Sequence, residues 1–565
     1  MTSAAVSAQG PTQNRVPGKF KLTALQASIG ICLAVILFLG TCLCLWWSLD
    51  HTVPFWDLAH HAINVMTCSS LLTHPKLFLL DWWRELFCLS PYYPPLYYFV
   101  CATINIAVGR LETAQKLTNL LSVSVLVFSL YFLSYKYTKS RLTAAISSIL
   151  PFLIFPRLFE LAHIFLIDIT CLSLIALSCL SFELCRKSER KLSWFITGCI
   201  FGLAVLAKQY AVIFLSSLCF TWLVAHLLSR DYHSIKYLGY LAMGGLLVLV
   251  PWAALALPEF VHTVGKVQQA WGHHSDVFHD FFWNLGEYCK LCLRRLFSVP
   301  GLLLGLFSVL FAKRSTHISL ALLSVTAVVS FLATCSFRWI PQDRYLTAIT
   351  IPVAIYSGDF LSRLLLAGGW RRAVASGLLL SAAWFFFAVH FCQGWFLDKK
   401  VVVEIRRSME LPGELENIAG VDWPVLPRAR ENGHQLEALK LIAEVEKGKP
   451  VLVGIVPDCV RFNFMTFQYL KQRYNLKDLW FFPVKMNTAG GDTCKFDQDL
   501  AERGSWYILN PTSIDIRLAG PDDQKEFERW NQYVMKSGKY SCYKAYELGD
   551  KTRLELWRKV DEHKH

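Results

Sequence analysis

A polytopic α-helical membrane protein with a C-terminal water-soluble α/β domain is the fold class that this sequence of 565 residues predicts. Three observations predict it. Hydrophobic residues make up 54% of the chain and charged residues 17%, whereas a soluble domain carries about a quarter charged residues. Apolar runs recur from residue 23 to 395 at lengths near those needed to cross a hydrocarbon core about 30 Å thick. After Phe396 the composition turns polar, and strand-like and helix-like segments alternate.

The first 22 residues are polar or small and end basic, and they read as a cytoplasmic tail. Residues 23–49 are too long and apolar for a cleaved signal core and read as a retained span. Residues 50–92 mix aromatic residues, acids and histidines, which suits short amphipathic helices lying on the membrane surface in an outer loop. Further apolar runs fill the region to residue 396 and give about 11–13 spans. The run 93–109 is expected to be re-entrant or surface-lying, with a full crossing and a compensating change elsewhere as the alternative. The net charge of +14 lies largely in short connections such as Lys136–Arg141, Arg186–Lys191, Lys313-Arg314 and Arg363–Arg372. The positive-inside rule places these in the cytoplasm, and it argues for membrane lipids rather than nucleic acid as the partner of this charge. The protein is therefore expected in a membrane, the cell membrane if the source is bacterial, with residues 397–565 on the non-cytoplasmic side. In that domain 451–456, 479–482 and 506–509 are expected strands, the second closed by Pro483, and 461–474 and 522–537 are expected helices.

Many of the 18 cysteines sit within apolar runs, where they act as small hydrophobes. The tail has three, Cys459, Cys494 and Cys542, which define no disulfide framework. His273, His274, Asp276, His279 and Asp280 match no zinc spacing and read better as a solvated loop, and Cys289 with Cys292 is one isolated pair. No metal site and no certain cofactor follow; a divalent metal has no support in the residues.

Ionisable groups in or beside membrane spans are costly, so each is a candidate for function. Asp57, just past the first run, suits a general base, with a helix N-cap as the competing reading. His60 and His61 follow it, and Arg84 lies further along the same loop. Tyr92-Tyr93-Pro94-Pro95-Leu96-Tyr97-Tyr98 opens the next run as an extended entry or an interfacial aromatic belt. Glu160 and Asp168 are eight residues apart, close to two helical turns, and are expected on one face. Lys208 ends Gly202-Leu203-Ala204-Val205-Leu206-Ala207 and either snorkels or faces a phosphate. Arg338 and Arg344 sit in a connection expected outside, against the charge rule, and arginine forks suit phosphate.

In this order the motifs resemble the GT-C superfamily of membrane glycosyltransferases, in the branch of protein O-mannosyltransferases and lipid A aminoarabinose transferases. The resemblance covers residues 23–358 and rests on Asp57, the Tyr93–Tyr98 entry, Asp168, the segment ending at Lys208 and Arg344-Tyr345-Leu346. It implies a polyprenyl-phosphate sugar donor and a lipid, glycan or protein acceptor. It also implies inverting displacement at the non-cytoplasmic face. Asp57 and Asp168 are then the expected catalytic residues, and Lys208, Arg344, Arg338 and Arg84 the expected phosphate contacts. His60, His61, Tyr93 and Glu160 are expected to line the site. Two positions depart from the pattern: Leu58 follows Asp57 where many relatives have a second acid, and Tyr93 precedes the proline pair where some have lysine or histidine. The phosphate contact supplied there must come from another residue. A transporter of an anionic or lipid-linked substrate is the alternative, since intramembrane charges also mark transport paths, although the sequence shows no related halves.

Overall fold

The structure is a computed structural model that describes residues 19–50, 53–54, 56–186, 188–271, 277–292, 296–336, 342–391, 434–458, 463–485, 496–511, 521–547 and 553–560. The helical part comprises α1 (Lys19–Leu49), α2 (Trp56–Thr73), α3 (Leu80–Phe87), α4 (Leu96–Val108), α5 (Leu111–Thr138), α6 (Arg141–Ile154), α7 (Pro156–His163) and α8 (Asp168–Cys185). It continues with α9 (Lys191–Ala207), α10 (Ala211–Leu228), α11 (Tyr232–Trp271), α12 (Val277–Leu291), α13 (Ser298–Leu310) and α14 (Arg314–Cys335). A 3₁₀ segment (Asp343–Ile349) leads into α15 (Thr350–Ala367) and α16 (Gly369–Phe391). The C-terminal part holds α17 (Gln435–Glu446), β1 (Val451–Asp458), α18 (Phe464–Arg473), β2 (Leu479–Lys485), α19 (Gln498–Arg503), β3 (Trp506–Leu509), α20 (Pro521–Lys536), β4 (Tyr540–Glu547) and β5 (Arg553–Lys559).

The chain is a multi-pass integral membrane protein. Among the described residues seven helices are long and apolar enough to cross a membrane, or eight if α6 and α7, bent by 82°, form one broken span. Two further runs expected to cross hold shorter apolar helices, Lys191–Ala207 and Gly301–Leu310, and the run 93–109, expected to be re-entrant or surface-lying, holds Leu96–Val108. Leu96–Val108 rises only about 20 Å at 1.5 Å per residue, short of a full core. It packs beside α2 and ends at Gly109, whose φ of 67° reverses the chain into α5.

Helices α9 and α11 approach backbone to backbone, because glycines lie on both faces of the contact. A Cβ on Gly198 would sit 1.9 Å from the Leu241 carbonyl oxygen, and one on Gly244 2.0 Å from that of Phe195. Small residues serve this purpose between membrane helices, where the apolar lipid supplies no hydrophobic drive and packing must hold the pair. The bend after α6 has a local cause. Pro156 forces Phe155 out of helical geometry (φ −110°, ψ 87°) and then serves as the first residue of α7, where its missing N–H is not needed.

A second break, Ile164–Ile167, separates α7 from α8. Asn119 of α5 donates its amide to the carbonyls of Ala162 (3.0 Å) and Ile164 (2.7 Å), satisfying backbone groups that a helix end leaves open. Glu160 and Asp168 therefore stand on different helices. Their expected shared face is corrected by this break, which the eight-residue spacing did not reveal.

The C-terminal sheet runs β2-β1-β3-β5-β4, the first three strands parallel and the last two antiparallel. Strand period sorts its core into two layers. Trp506 and Ile508 pack on the side of α17 and α18, and Tyr507 and Leu509 pack with Phe527 and Trp530 of α20. Pro483 does not close β2 but lies within it, opposite Ile455. It is tolerated because β2 is an edge strand, which can spare a donor on its outer side. The α17–α18 layer also faces the helical part: Phe467 and Leu470 share an apolar cluster with Val65, Tyr97 and Leu111. Tyr469 donates to Glu112 at the head of α5 (3.2 Å), and Arg473 grips the same carboxylate through Nε and Nη2, both at 3.1 Å.

Candidate functional site

The basic connections and the charged cluster occupy opposite ends of the same helices. Helix α8 begins at Asp168 and ends beside Arg186, α9 begins at Lys191 and ends beside Lys208, and the segment through α15 runs from Arg344 to beyond Arg363. Elements far apart in sequence thus deliver Asp57, Asp168, Lys208 and Arg344 to one place.

Asp168 and Lys208 are fully buried and bonded, Nζ to Oδ1 at 2.6 Å. Lys208 is the residue at which α9 ends, in extended backbone (φ −160°, ψ 127°). Its ammonium is walled by the rings of Tyr210, Tyr345 and Tyr93, at 5.1, 5.3 and 5.6 Å from their centroids, within the range of cation–π attraction. Arg344 spans the two acids: Nη1 and Nη2 each lie 3.2 Å from Asp57 Oδ2, and Nη1 lies 3.8 Å from Asp168 Oδ2. Its Nε donates to Gln342. The 3₁₀ segment carrying Arg344 is pinned from two sides. Tyr210 donates to the Arg344 carbonyl at 3.1 Å. Buried Arg157 binds Asp343 through Nε and Glu160 through Nη1, both at 3.0 Å.

Asp57 lies in the first turn of α2, where the positive end of the helix favours a carboxylate. Its side chain is 26% exposed, so it is the member of the cluster open to an incoming molecule. Burial pushes its pKa up, and the charges of Arg344 and Lys208 together with the Arg344 hydrogen bonds outweigh this, so the carboxyl is held below its ordinary range. One turn on, burial drives the His61 imidazole down to about 3, which keeps it neutral. His60 is lowered by burial as well, and its Nε2 contacts Ser90 Oγ (3.2 Å) and Asn64 (3.1 Å).

Not every expected residue joins the cluster. Arg84 has a side chain 60% exposed and pairs with Asp81 at 3.8 Å, one turn away on α3. Glu160 binds Arg157 and stands behind the site rather than in it. Arg338, His273, His274 and Asp276 lie outside the described residues. Among the described residues no three His, Cys, Asp or Glu side chains are placed to hold a metal. The roles of Arg157 and Tyr210 were not read from sequence. Tyr210 is two residues past Lys208, and an aromatic so close to a buried cation was the signal available.

A cluster of two acids and two cations stands at one end of a polytopic bundle, beside a docked α/β domain, and the fold of the whole is ArnT-like. Residues 93–254 match the sequence model of the family described as dolichyl-phosphate-mannose-protein mannosyltransferase, a stretch that includes Asp168 and Lys208. Among solved structures, ArnT from Cupriavidus metallidurans bound to undecaprenyl phosphate is similar with a TM-score of 0.55 at 14% identity, over 94% of this chain and 98% of that one. The apo form of the same protein gives 0.49 at 15% identity over the same shares. An oligosaccharyltransferase from Archaeoglobus fulgidus in the apo form gives 0.48 at 11% identity, over 86% of this chain and 69% of that one. No curated protein sequence matches the chain. The resemblance to the protein O-mannosyltransferase and aminoarabinose transferase branch is borne out by the family match together with the shared fold.

Proposed function

We propose that the chain transfers a sugar from a polyprenyl-phosphate-linked donor to a hydroxyl acceptor at the non-cytoplasmic face. The family match and the fold support glycosyl transfer from a lipid-linked donor in general. The observation that carries the finer reading is the bridge made by Arg344 between Asp57 and the buried Asp168–Lys208 pair. It joins an accessible base to two fixed cations.

Arg344, with Lys208 behind it, receives the donor phosphate; both are held in place before it arrives, so their field acts without reorganisation. Asp168 keeps Lys208 in position and charged. The phosphate competes with Asp57 for the guanidinium and releases the carboxylate toward the acceptor. The acceptor oxygen then attacks the anomeric carbon as its proton passes to Asp57. The bond from that carbon to the phosphate oxygen breaks, the electron pair leaves with polyprenyl phosphate, and the configuration inverts. Lys208 replaces the cation that some relatives carry at the position of Tyr93, whose ring instead forms part of the wall around it.

The reading is tested by mass spectrometry of lipid-linked sugars in cells with the gene deleted. One polyprenyl-phosphate sugar should accumulate, and return to its usual level with the wild-type gene but not with Asp57→Asn. An unchanged lipid profile in the deletion would contradict it.

A further inference from the structure

His61 is fully buried on α2, one helical turn past Asp57. Its Nδ1 lies 2.9 Å from the Tyr98 hydroxyl, and its ring is 5.1 Å from that of Tyr93, which also faces the Lys208 ammonium. Its Nε2 has no hydrogen-bond partner among the described residues. Proteins pair nearly all their buried polar atoms, so an unpaired nitrogen beside a reaction centre points to a ligand.

The surroundings fix which nitrogen carries the proton. The Tyr98 hydroxyl is buried and must place its one proton, and among the described residues its hydrogen-bond partner is His61 Nδ1, which takes it. The ring is neutral, held so by burial, and its one proton sits on Nε2.

We propose that His61 Nε2–H donates a hydrogen bond to a hydroxyl oxygen of the donor's sugar ring, which makes His61 a determinant of sugar binding and Tyr98 its positioning residue. The inference rests on the proposed function. The sugar is one bond from the phosphate held by Arg344 and Lys208. His61 stands between Tyr93, on the wall of that cation site, and Asp57, which faces the acceptor. A donor aimed at a sugar hydroxyl rewards a sugar and is indifferent to the bare lipid phosphate.

The test compares binding of dolichyl-phosphate mannose and of bare dolichyl phosphate to the full chain in lipid nanodiscs. The wild type should bind both, and His61→Leu should lower the ratio of mannosyl-lipid to bare-lipid affinity about tenfold or more, the usual effect of deleting a buried donor. Bare-lipid affinity should hold, which also reports that the variant is folded. His61→Gln, whose amide restores an N–H, should recover most of the ratio. Tyr98→Phe should lower it, since the proton is then free to move to Nδ1. An unchanged ratio in His61→Leu, with bare lipid still bound, overturns the inference and leaves the proposed function standing. Failure of the wild type to bind either lipid overturns both.

Discussion

Replacing Asp168 by asparagine removes the charge from a carboxylate that is wholly buried and 2.6 Å from an equally buried ammonium. The Coulomb attraction vanishes while the desolvation cost of Lys208 remains, and its three tyrosine rings do not replace a counter-ion. Breaking a buried pair from one side costs about 3–5 kcal/mol. Arg344, 3.8 Å from the same acid, loses its second anchor as well, so the upper part of that range is expected. The double variant Asp168→Asn/Lys208→Met removes both charges and fills similar volume, so it should recover all but about 1–2 kcal/mol. The assay is equilibrium denaturation of purified protein in a fixed detergent, alongside transfer activity. Stability should fall in the single variant and return in the double, while activity is lost in both. A double variant no more stable than the single would refute the pair as the reason that Asp168 is needed. Activity in the double variant would refute Lys208 as a phosphate contact.

Three further outcomes follow from separate features. Gly198→Leu or Gly244→Leu drives a side chain into a facing backbone carbonyl, so each should abolish detergent-stable protein, while Gly239→Leu, which meets nothing within 4 Å, should be tolerated; size-exclusion profiles of the three decide it. Asp57 acts as a base in its ionised form, and its pKa stands below the ordinary carboxylate range. The acid limb of kcat/KM should therefore lie below the ordinary carboxylate range. Without the guanidinium the burial effect is less opposed, so Arg344→Gln should move that limb upward; an unmoved limb would show that Arg344 does not set the charge of Asp57. By linkage, the stability contributed by Asp57 is present above its unfolded pKa and lost as pH falls through the lower folded value. Glu112→Ala breaks a contact that is more than a third exposed on both sides, so it should cost under about 1 kcal/mol, but it should speed proteolysis between the helical and C-terminal parts; unaltered cleavage would mean that the apolar contact alone holds them.

Much of this was legible in the chain, for physical reasons. Charges beside apolar runs are costly enough to stand out, and Asp57, Asp168, Lys208 and Arg344 were each marked that way before geometry joined them. Arg84 bore the same mark without the same cause, because an arginine in a polar loop costs nothing to expose. Periodicity also misled between Glu160 and Asp168, where the chain leaves the helix at Ile164 because a distant asparagine satisfies its end. Strand β1 was evident from its apolar run. The pair β4 and β5 was not, since Lys544, Glu547 and Arg553 on their exposed positions resemble loop composition. Crossing counts from hydropathy exceeded the long helices because short apolar helices such as Lys191–Ala207 carry the same composition without the length.

The most direct measurement is transfer of labelled sugar from a polyprenyl-phosphate donor by the purified full chain in nanodiscs, wild type against Asp57→Asn. The wild type should transfer, and the variant should bind donor equally well yet transfer at least about a hundredfold more slowly. Equal transfer rates in the two proteins would remove the carboxylate from the chemistry and contradict the account.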